Sequence, residues 1–435
     1  MKLFYNILFL IFFIVSSPWY LWRLIRRGNW KKGFAQRFGF YSSSLTNKIR
    51  PQTIWFHAVS VGEVNICAEL IKQFSVQFPQ FQIIASTTTT TGMAEIQKKL
   101  PQEVIAIYYP IDFPFCVQRV LNLFKPQAII LIEAEIWPNF LWCAAQKNIP
   151  LYLFNARLSQ KSFRRYSKAK FIFRGIFSSF HGIGVQNEID REHLISLGAK
   201  PENISITGNL KFDGVRLKLD NHLNVSQLLS QIGVSADSPI LVAGSTHSGE
   251  EILLAQIALR IKRIFPNFFL IIVPRHFERT KIIVQELQKT DIRFTLRTEI
   301  TDQTHTSPGT YDCLIVNTTG ELRFFYEAAT ITFIGKSLTA KGGQNPIEPA
   351  VLEKPILFGP NMQNFRSIVH SFLSADAAIQ ITDSEDLEKN IIYLLKTPER
   401  CKSLGTNARQ VVLKNQGATE RSIAILKKNT LFQQT

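Results

Sequence analysis

Apolar residues recur along the chain with two different spacings. Short runs rich in Ile, Val, Leu and Phe alternate with longer stretches in which apolar residues return every three or four positions. The short runs are typical of buried strands, and the longer stretches are typical of helices that pack on a sheet. The alternation therefore predicts an α/β fold with parallel sheets and crossover helices. We predict strands at 53–56, 81–85, 104–108, 128–132, 151–154, 182–185 and 204–207, and then at 240–243, 268–273, 313–316, 331–334 and 355–358.

The two sets of strands are separated by a polar stretch that lacks strand signals. A chain of 435 residues also exceeds what one hydrophobic core usually organises. We therefore predict two Rossmann-like domains that face each other across a cleft. The predicted segments are an N-terminal domain at 35–212, a linker at 213–238, a C-terminal domain at 239–397, and a final helix and tail at 398–435.

The chain begins with an almost wholly apolar segment at 3–22, which is long enough to cross a bilayer as one helix. A cleaved signal peptide carries its positive charges before the apolar run, whereas here most of them follow it, at Arg23, Arg26, Arg27, Lys31 and Lys32. We therefore predict a retained, single-pass signal-anchor at 1–25, with the rest of the chain on the cytoplasmic side. A helix lying flat in the membrane interface is the alternative, which the lack of a polar face disfavours.

Composition narrows the choice of partner. The chain is 46% hydrophobic and carries a net charge of +17, as expected for a folded protein with an acidic partner such as nucleic acid, anionic lipid or a phosphorylated substrate. A segment at 157–174 interleaves basic with aromatic residues and suits an anionic membrane surface, although RNA or a plain solvated helix face would fit it too. The apolar N-terminal segment favours lipid. Five scattered cysteines predict neither disulfides nor zinc.

Acidic and basic residues follow several strands of the first domain, where ligands of parallel sheets bind. Glu63 begins the helix after the first strand, either as a plain N-terminal charge or as a general base for a sugar hydroxyl. Glu133 and Glu135 follow the fourth strand, and we expect only one of them to point into the cleft. Their Glu-x-Glu pattern is too unspecific to predict a metal site. Lys211 ends the domain at the cleft mouth, where it could meet a phosphate or a carboxylate.

The second domain offers several candidate anion sites. Its first strand runs into Gly-Ser-Thr-His-Ser-Gly-Glu-Glu at 244–251, a near match to a P-loop in which Glu250 replaces the required lysine. This disfavours ATP or GTP hydrolysis, while the loop stays suited to oxyanions. Further candidates for nucleotide binding follow later strands: Arg275, His276, Thr319, Gly320, Glu321, Asn345, Pro346, Ile347 and Glu348. The last four open a helix that could equally be only a capped helix with an acidic first turn.

The motifs resemble, in order, those of the bacterial 3-deoxy-D-manno-octulosonic acid (Kdo) transferases of lipopolysaccharide assembly. The resemblance spans nearly the whole chain and rests on FHAVSVGEV, EAEIWPN, NARLS, QNEIDREHLISLGA, TGNLKFD, GSTHSGEE, VPRHFER, TGEL and GGQNPIEP. It implies a GT-B fold, CMP-Kdo as the donor, the lipid A precursor as the acceptor, and inversion at the anomeric carbon without a cofactor or a required metal. It also implies a position at the bacterial inner membrane and no nucleic-acid partner.

The resemblance implies roles for individual residues as well. Glu63 matches the family's catalytic base, and Glu133 and Lys211 match positions of transition-state stabilisation. The CMP-contacting segments match Arg275 with His276, then Thr319 to Glu321, then Asn345 to Glu348. Gln344 departs from the family pattern, which has His there. Two other classes of function are weighed: a GT-B transferase with a UDP-sugar donor, and an anchored protein that binds nucleotide or nucleic acid without chemistry.

Overall fold

The computed structural model describes residues 2–26, 32–133, 135–214 and 223–433. The chain divides into two compact units, Met1–Gly214 with Gln416–Thr435, and Val215–Asn415. Several residues of the predicted segments lie outside the described ones: Met1, Arg27, Lys31, residues 215–222 of the predicted linker, and residues 434–435.

The first unit is built on a fully parallel sheet of seven strands, in the order β3-β2-β1-β4-β5-β6-β7. Its central strands are buried on both faces, as parallel sheets between two helical layers require. Trp55 faces one hydrophobic core and its neighbour Phe56 faces the other. The strands are β1 (Thr53–His57), β2 (Gln82–Thr87), β3 (Ile105–Tyr108), β4 (Ala128–Ile132), β5 (Leu151–Ala156), β6 (Gly182–Val185) and β7 (Ile204–Ile206).

The helices of this unit begin at readable sequence signals. Proline occupies the first turn of α6 and α7, and Ser60 and Asn187 cap α4 and α10 through their side chains. The helices are α1 (Lys2–Arg26), α2 (Phe34–Arg37), α3 (Ser43–Thr46), α4 (Val61–Gln77), α5 (Thr90–Lys99), α6 (Pro114–Phe124), α7 (Pro138–Gln146), α8 (Gln160–Lys168), α9 (Lys170–Phe177) and α10 (Glu188–Leu197), with 3-10 turns at Pro201–Asn203 and Leu210–Phe212.

The second unit repeats this plan with a seven-stranded parallel sheet in the order β10-β11-β9-β8-β12-β13-β14. Its strands are β8 (Ile240–Thr246), β9 (Phe269–Pro274), β10 (Phe294–Leu296), β11 (Cys313–Ile315), β12 (Ile331–Ile334), β13 (Ile356–Phe358) and β14 (Ile379–Gln380). Its helices are α11 (Val225–Gln231), α12 (Glu250–Lys262), α13 (Thr280–Leu287), α14 (Leu322–Ala328), α15 (Ile347–Val351), α16 (Arg366–Ser374), α17 (Ser384–Lys396) and α18 (Pro398–Asn415).

The predicted C-terminal segment at 398–435 is divided between the two units. The helix breaks at Gly417, which has the left-handed φ of 87°, and α19 (Ala418–Lys427) then packs in the first unit. Asp213 accepts hydrogen bonds from the backbone N–H groups of Gly417 and Thr419 at the start of this helix. The chain thus returns to the first unit after Asn415, and Asp213 caps the free amides at the start of α19.

The predicted fold class is confirmed: both sheets are parallel and helices connect their strands. The structure adds two strands that the sequence pattern did not predict, β10 and β14, both short and at sheet edges. Among the described residues, one helix contains a stretch, Lys2–Trp19, that is long and apolar enough to cross a membrane.

Candidate active site

Glu63 lies in the first turn of α4, directly after β1. The backbone N–H of Glu63 donates to Ser60 Oγ, while Ser60 Oγ donates to Glu63 Oε1 at 2.9 Å. The backbone N–H of Val59 donates to Glu63 Oε2 at 2.8 Å. This capping arrangement fixes the carboxylate at a helix N-terminus, so the two roles predicted for Glu63 are compatible.

Glu133 stands where β4 ends, in a backbone conformation that is rare for a side chain other than glycine. Its φ is 61°, and Asn155 at the end of the neighbouring strand β5 has a φ of 56°. Such conformations cost about 1–3 kcal/mol each and cluster at functional sites. Glu133 Oε1 lies 3.6 Å from Lys211 Nζ and 3.4 Å from Asn155 Nδ2. The strained loop thus brings together two residues predicted from the sequence.

Asn155 is a residue of this site that sequence reasoning did not single out. It is buried, its Oδ1 accepts from the backbone N–H of Leu210 at 3.1 Å, and its Nδ2 faces Glu133. It therefore links Glu133 to the 3-10 turn that carries Lys211. The only sequence signal for it was its place in the NARLS motif.

Glu135 adds a third carboxylate to Glu63 and Glu133. Burial raises its pKa to about 7, with the charges of Glu63 and Glu133 acting in the same direction, and Trp137 Nε1 donates to its Oε2 at 3.0 Å. Burial, and then the charge of Glu133, raise the pKa of Glu63 as well. Both acidic residues after β4 thus interact with Glu63, and a neighbouring negative charge favours the protonated form of a carboxyl and so raises its proton affinity.

The position of these residues in the sheet is the one expected for a ligand site. The strand order reverses between β1 and β4, and Glu63 and Glu133 follow those two strands. Ligands of open parallel sheets bind at such a switch point, beyond the carboxyl ends of the strands. The topology therefore makes this edge the candidate catalytic site of the first unit.

The second unit has its own switch point, between β8 and β12. Glu250 is the first residue of α12, the helix that follows β8. Glu250 is buried and accepts four backbone N–H groups. Its Oε2 accepts from His247 and Lys336, and its Oε1 from Ser337 and Leu338, at 2.8–3.1 Å. The carboxylate thus accepts from backbone amides that an anion would otherwise bind, and it links the P-loop-like sequence to the loop after β12.

Arg275 and His276 follow β9 and are exposed at the carboxyl edge of this sheet. The His276 ring packs edge-on against His247, with centroids 5.8 Å apart. Burial and the nearby cationic side chain of Lys336 lower the pKa of His247 to about 4, so this imidazole is neutral. Behind them Arg279 pairs with the buried Glu251 at 2.7 Å. The guanidinium of Arg275 is thus exposed at the sheet edge, and the ion pair of Arg279 with Glu251 anchors the turn that follows it.

The loop after β11 carries Thr319, Gly320 and Glu321. Thr319 and Gly320 are exposed, and Gly320 has a φ of 87°. Glu321 accepts from Thr318 Oγ1 at 2.6 Å and pairs with Arg297 at 3.2 Å. These contacts hold the side chain of Glu321, while Thr319 and Gly320 stay exposed to solvent.

Asn345 to Glu348 follow β12 and lead into α15, which has only five residues. Asn345 Oδ1 accepts from the backbone N–H of Ile347, whose side chain is buried. Glu348 lies in the first turn, as predicted. The structure therefore places all predicted nucleotide-binding segments at the carboxyl edge of the second sheet.

The described residues contain no group of three or more His, Cys, Asp or Glu side chains arranged to hold a metal ion. The basic aromatic segment 157–174 forms α8 and most of α9. Its aromatic residues Phe163, Tyr166 and Phe173 pack toward the core, whereas Phe171 is 57% exposed. Its exposed basic residues are Lys161, Arg164, Arg165, Lys168, Lys170 and Arg174.

Comparison with known proteins decides the family. A family model described as 3-deoxy-D-manno-octulosonic-acid transferase (kdotransferase) matches residues 32–214. The 3-deoxy-D-manno-octulosonic acid transferase of Haemophilus influenzae is 32% identical over 411 residues, which cover 93% of this chain and 92% of that protein. The chain belongs to the Kdo transferase family. The Rickettsia bellii protein of the same name is 30% identical and covers 98% of this chain and 99% of its own length.

A solved structure places this chain among known folds. The UDP-GlcNAc 2-epimerase of Neisseria meningitidis, solved with UDP-GlcNAc bound, covers 87% of this chain and 100% of its own with a TM-score of 0.59. At 14% identity this likeness concerns the fold alone. The chain thus has the predicted GT-B fold, and its family makes it a glycosyltransferase.

Proposed function

We propose that the chain transfers Kdo from CMP-Kdo to the lipid A precursor, lipid IVA, during assembly of the lipopolysaccharide inner core. The observation that carries the proposal is a fixed carboxylate, Glu63, with a raised pKa beside the pair of Glu133 and Lys211 at a sheet switch point. This is the chemistry that a sugar hydroxyl needs when it attacks an electrophilic carbon.

Glu63 is proposed as the general base of an inverting displacement. An acceptor hydroxyl forms a bond to the anomeric carbon of Kdo, its proton passes to Glu63, and the bond from that carbon to the CMP phosphate breaks. The hydrogen bonds from Val59 and Ser60 orient the carboxylate, while burial and Glu133 keep its proton affinity high. A base with a raised pKa accepts a proton more readily at neutral pH.

Glu133 and Lys211 are proposed to stabilise the transition state. Positive charge grows on the sugar ring as the bond to phosphate breaks, and negative charge grows on CMP. A carboxylate and an ammonium held 3.6 Å apart by a strained loop and by Asn155 can meet these charges without reorganising. Neither group requires a metal ion, and we propose that the reaction uses none.

The second unit is proposed to bind CMP. Arg275 and His276 suit the phosphate, and the open backbone after β11, with Thr319, Gly320 and Glu321, suits the polar edge of the base or its ribose. Asn345, Pro346, Ile347 and Glu348 are proposed to complete this site. Gln344, in place of the family's His, retains a hydrogen-bonding amide.

We propose that the protein acts at the cytoplasmic face of the bacterial inner membrane. The apolar helix α1, the net charge of +17 and the exposed basic residues of segment 157–174 all favour an anionic lipid surface. Nucleic acid is not proposed as a partner.

Competition between nucleotides tests the donor. CMP should inhibit transfer and bind the full-length protein in calorimetry, and Arg275→Ala should weaken that binding while the exposed control Arg263→Ala should not. Binding of UDP in preference to CMP would instead favour a UDP-sugar transferase, and binding without any transfer would favour a non-catalytic nucleotide-binding protein.

A further inference from the structure

Helix α1 packs against the first unit with one of its faces. Tyr5 Oη donates to Asp112 Oδ2 at 2.8 Å, and Asn139 Nδ2 donates to Asn6 Oδ1 at 2.7 Å. The rings of Phe9 and Phe13 each lie 5.1 Å from the ring of Phe113 (the segment before α6). Tyr5, Phe9 and Phe13 are four residues apart and so share one side of the helix.

The domain side of this contact is fixed by hydrogen bonds within the first unit. Asp112 is 1% exposed, and besides Tyr5 it accepts the backbone N–H groups of Asn139 and Phe140 at 3.1 and 2.9 Å. It therefore caps the N-terminus of α7 through hydrogen bonds that do not involve α1. Tyr5 thus donates to a carboxylate, and Asn6 accepts from the side chain of Asn139, which are both held by hydrogen bonds within the domain.

This contact conflicts with the crossing predicted from hydropathy. At 1.5 Å per residue, Tyr5 and Arg26 are about 31 Å apart along the helix, close to the thickness of the hydrocarbon core. If Arg26 lay at the cytoplasmic boundary of a crossing helix, Tyr5 would lie near the opposite boundary. Asp112, part of a folded unit, cannot follow Tyr5 there.

We infer that α1 lies along the cytoplasmic surface of the membrane, docked to the first unit through Tyr5 and Asn6, with its opposite face in the lipid. This deepens the proposed function and rests on it, because it takes a membrane surface as the partner. The lack of a polar face disfavours a flat helix whose inner side meets water, but here that side meets the domain, which receives Tyr5 and Asn6.

The outer face has the chemistry of a lipid contact. Leu3, Phe12 and Val15 are 73%, 66% and 74% exposed, which is a large apolar surface for a helix in water. Phe115 is 60% exposed and stacks on Phe113, so it extends this surface onto the domain. At the far end Arg26 lies over the exposed ring of Trp22, a pair suited to the headgroup layer.

The docking of α1 bears on how a lipid acceptor reaches the candidate active site. Asp112 caps α7, and Trp137, which holds Glu135, directly precedes that helix. The edge that carries Glu133 and Glu135 is thus attached to the element on which α1 docks. A lipid acceptor would reach it from the surface of the leaflet, with its acyl chains still in the membrane.

Cross-linking of the full chain in native membranes tests the docking. The pair Phe9→Cys with Phe113→Cys should give several-fold more product with a short bis-maleimide than Ile11→Cys with Phe113→Cys, since Ile11 is on the opposite face and 54% exposed. Single variants control for the five native cysteines. Equal products from both pairs, or none from the Phe9 pair, would overturn the inference.

Labelling of Lys2→Cys gives an independent readout. With a membrane-impermeant maleimide, a docked helix predicts protection in intact cells and reaction in inside-out vesicles, whereas a crossing helix predicts the reverse. Kdo transfer is measured in the same membranes: lost docking with intact transfer refutes only the seating, and docking without transfer refutes only the proposed function.

Discussion

The ammonium of Lys211 lies 3.6 Å from a carboxylate oxygen of Glu133, although the two residues follow different strands, β7 and β4. Both are partly shielded from solvent, so the attraction is stronger than between fully exposed groups. The left-handed φ of Glu133 and the hydrogen bonds of Asn155 hold the two groups close together at the edge of the sheet.

Replacing Lys211 with methionine should lower kcat by roughly 10²–10³-fold, because a prepositioned charge that acts in the transition state is lost. Steady-state kinetics at saturating donor measures this. The exposed Lys200→Met is the matched control and should leave kcat unchanged. A change confined to KM would assign Lys211 to ground-state binding.

The rate should fall as pH drops through the raised pKa of Glu63, because a general base acts only when ionised. The charge of Glu133 contributes to that raised pKa, so Glu133→Gln should lower the pKa of Glu63 and move the acid limb of kcat/KM to lower pH, whatever its effect on the maximal rate. The exposed Glu103→Gln should not move it. An acid limb unaffected by Glu133→Gln would mean that the charge of Glu133 does not set the pKa of the base.

Glu250→Ala should destabilise the second unit by at least about 3 kcal/mol, because four backbone amides lose their acceptor in a buried loop. Glu250→Gln keeps one carbonyl oxygen and should cost less. Urea unfolding measures both, with the exposed Asp291→Ala as control. Wild-type stability of Glu250→Ala would mean that the amides find other partners.

Transfer should survive a chelator at concentrations that strip divalent cations, since the proposed roles are filled by Glu63, Glu133, Lys211 and the basic residues of the second unit. The assay compares product with and without chelator. Loss of product that Mg²⁺ restores would contradict this prediction.

The sequence pattern predicted the architecture because each buried strand is a distinct apolar run. It missed β10 and β14, which have three and two residues at sheet edges, although it found β7, an edge strand of three residues. The place of Glu63 at the start of α4 was predicted because a helix N-terminus is a local signal.

Long-range partners were not readable. The amides that Glu250 binds lie as many as 88 residues away in the chain, and the link from Asn155 to Leu210 spans 55. The docking of α1 was missed for the same reason: hydropathy counts residues of the helix and not the distant Asp112 that Tyr5 meets. Topology, not local pattern, creates these contacts.

The most direct test of the central claim is transfer of Kdo to lipid IVA by the purified full-length protein, with CMP-Kdo generated in situ, comparing wild type with Glu63→Gln. The carboxamide keeps the size of the side chain and removes its basicity. The account predicts Kdo-bearing product from the wild type and a loss of at least about 10²-fold in the variant. No product from well-folded wild type, or equal product from Glu63→Gln, would contradict it.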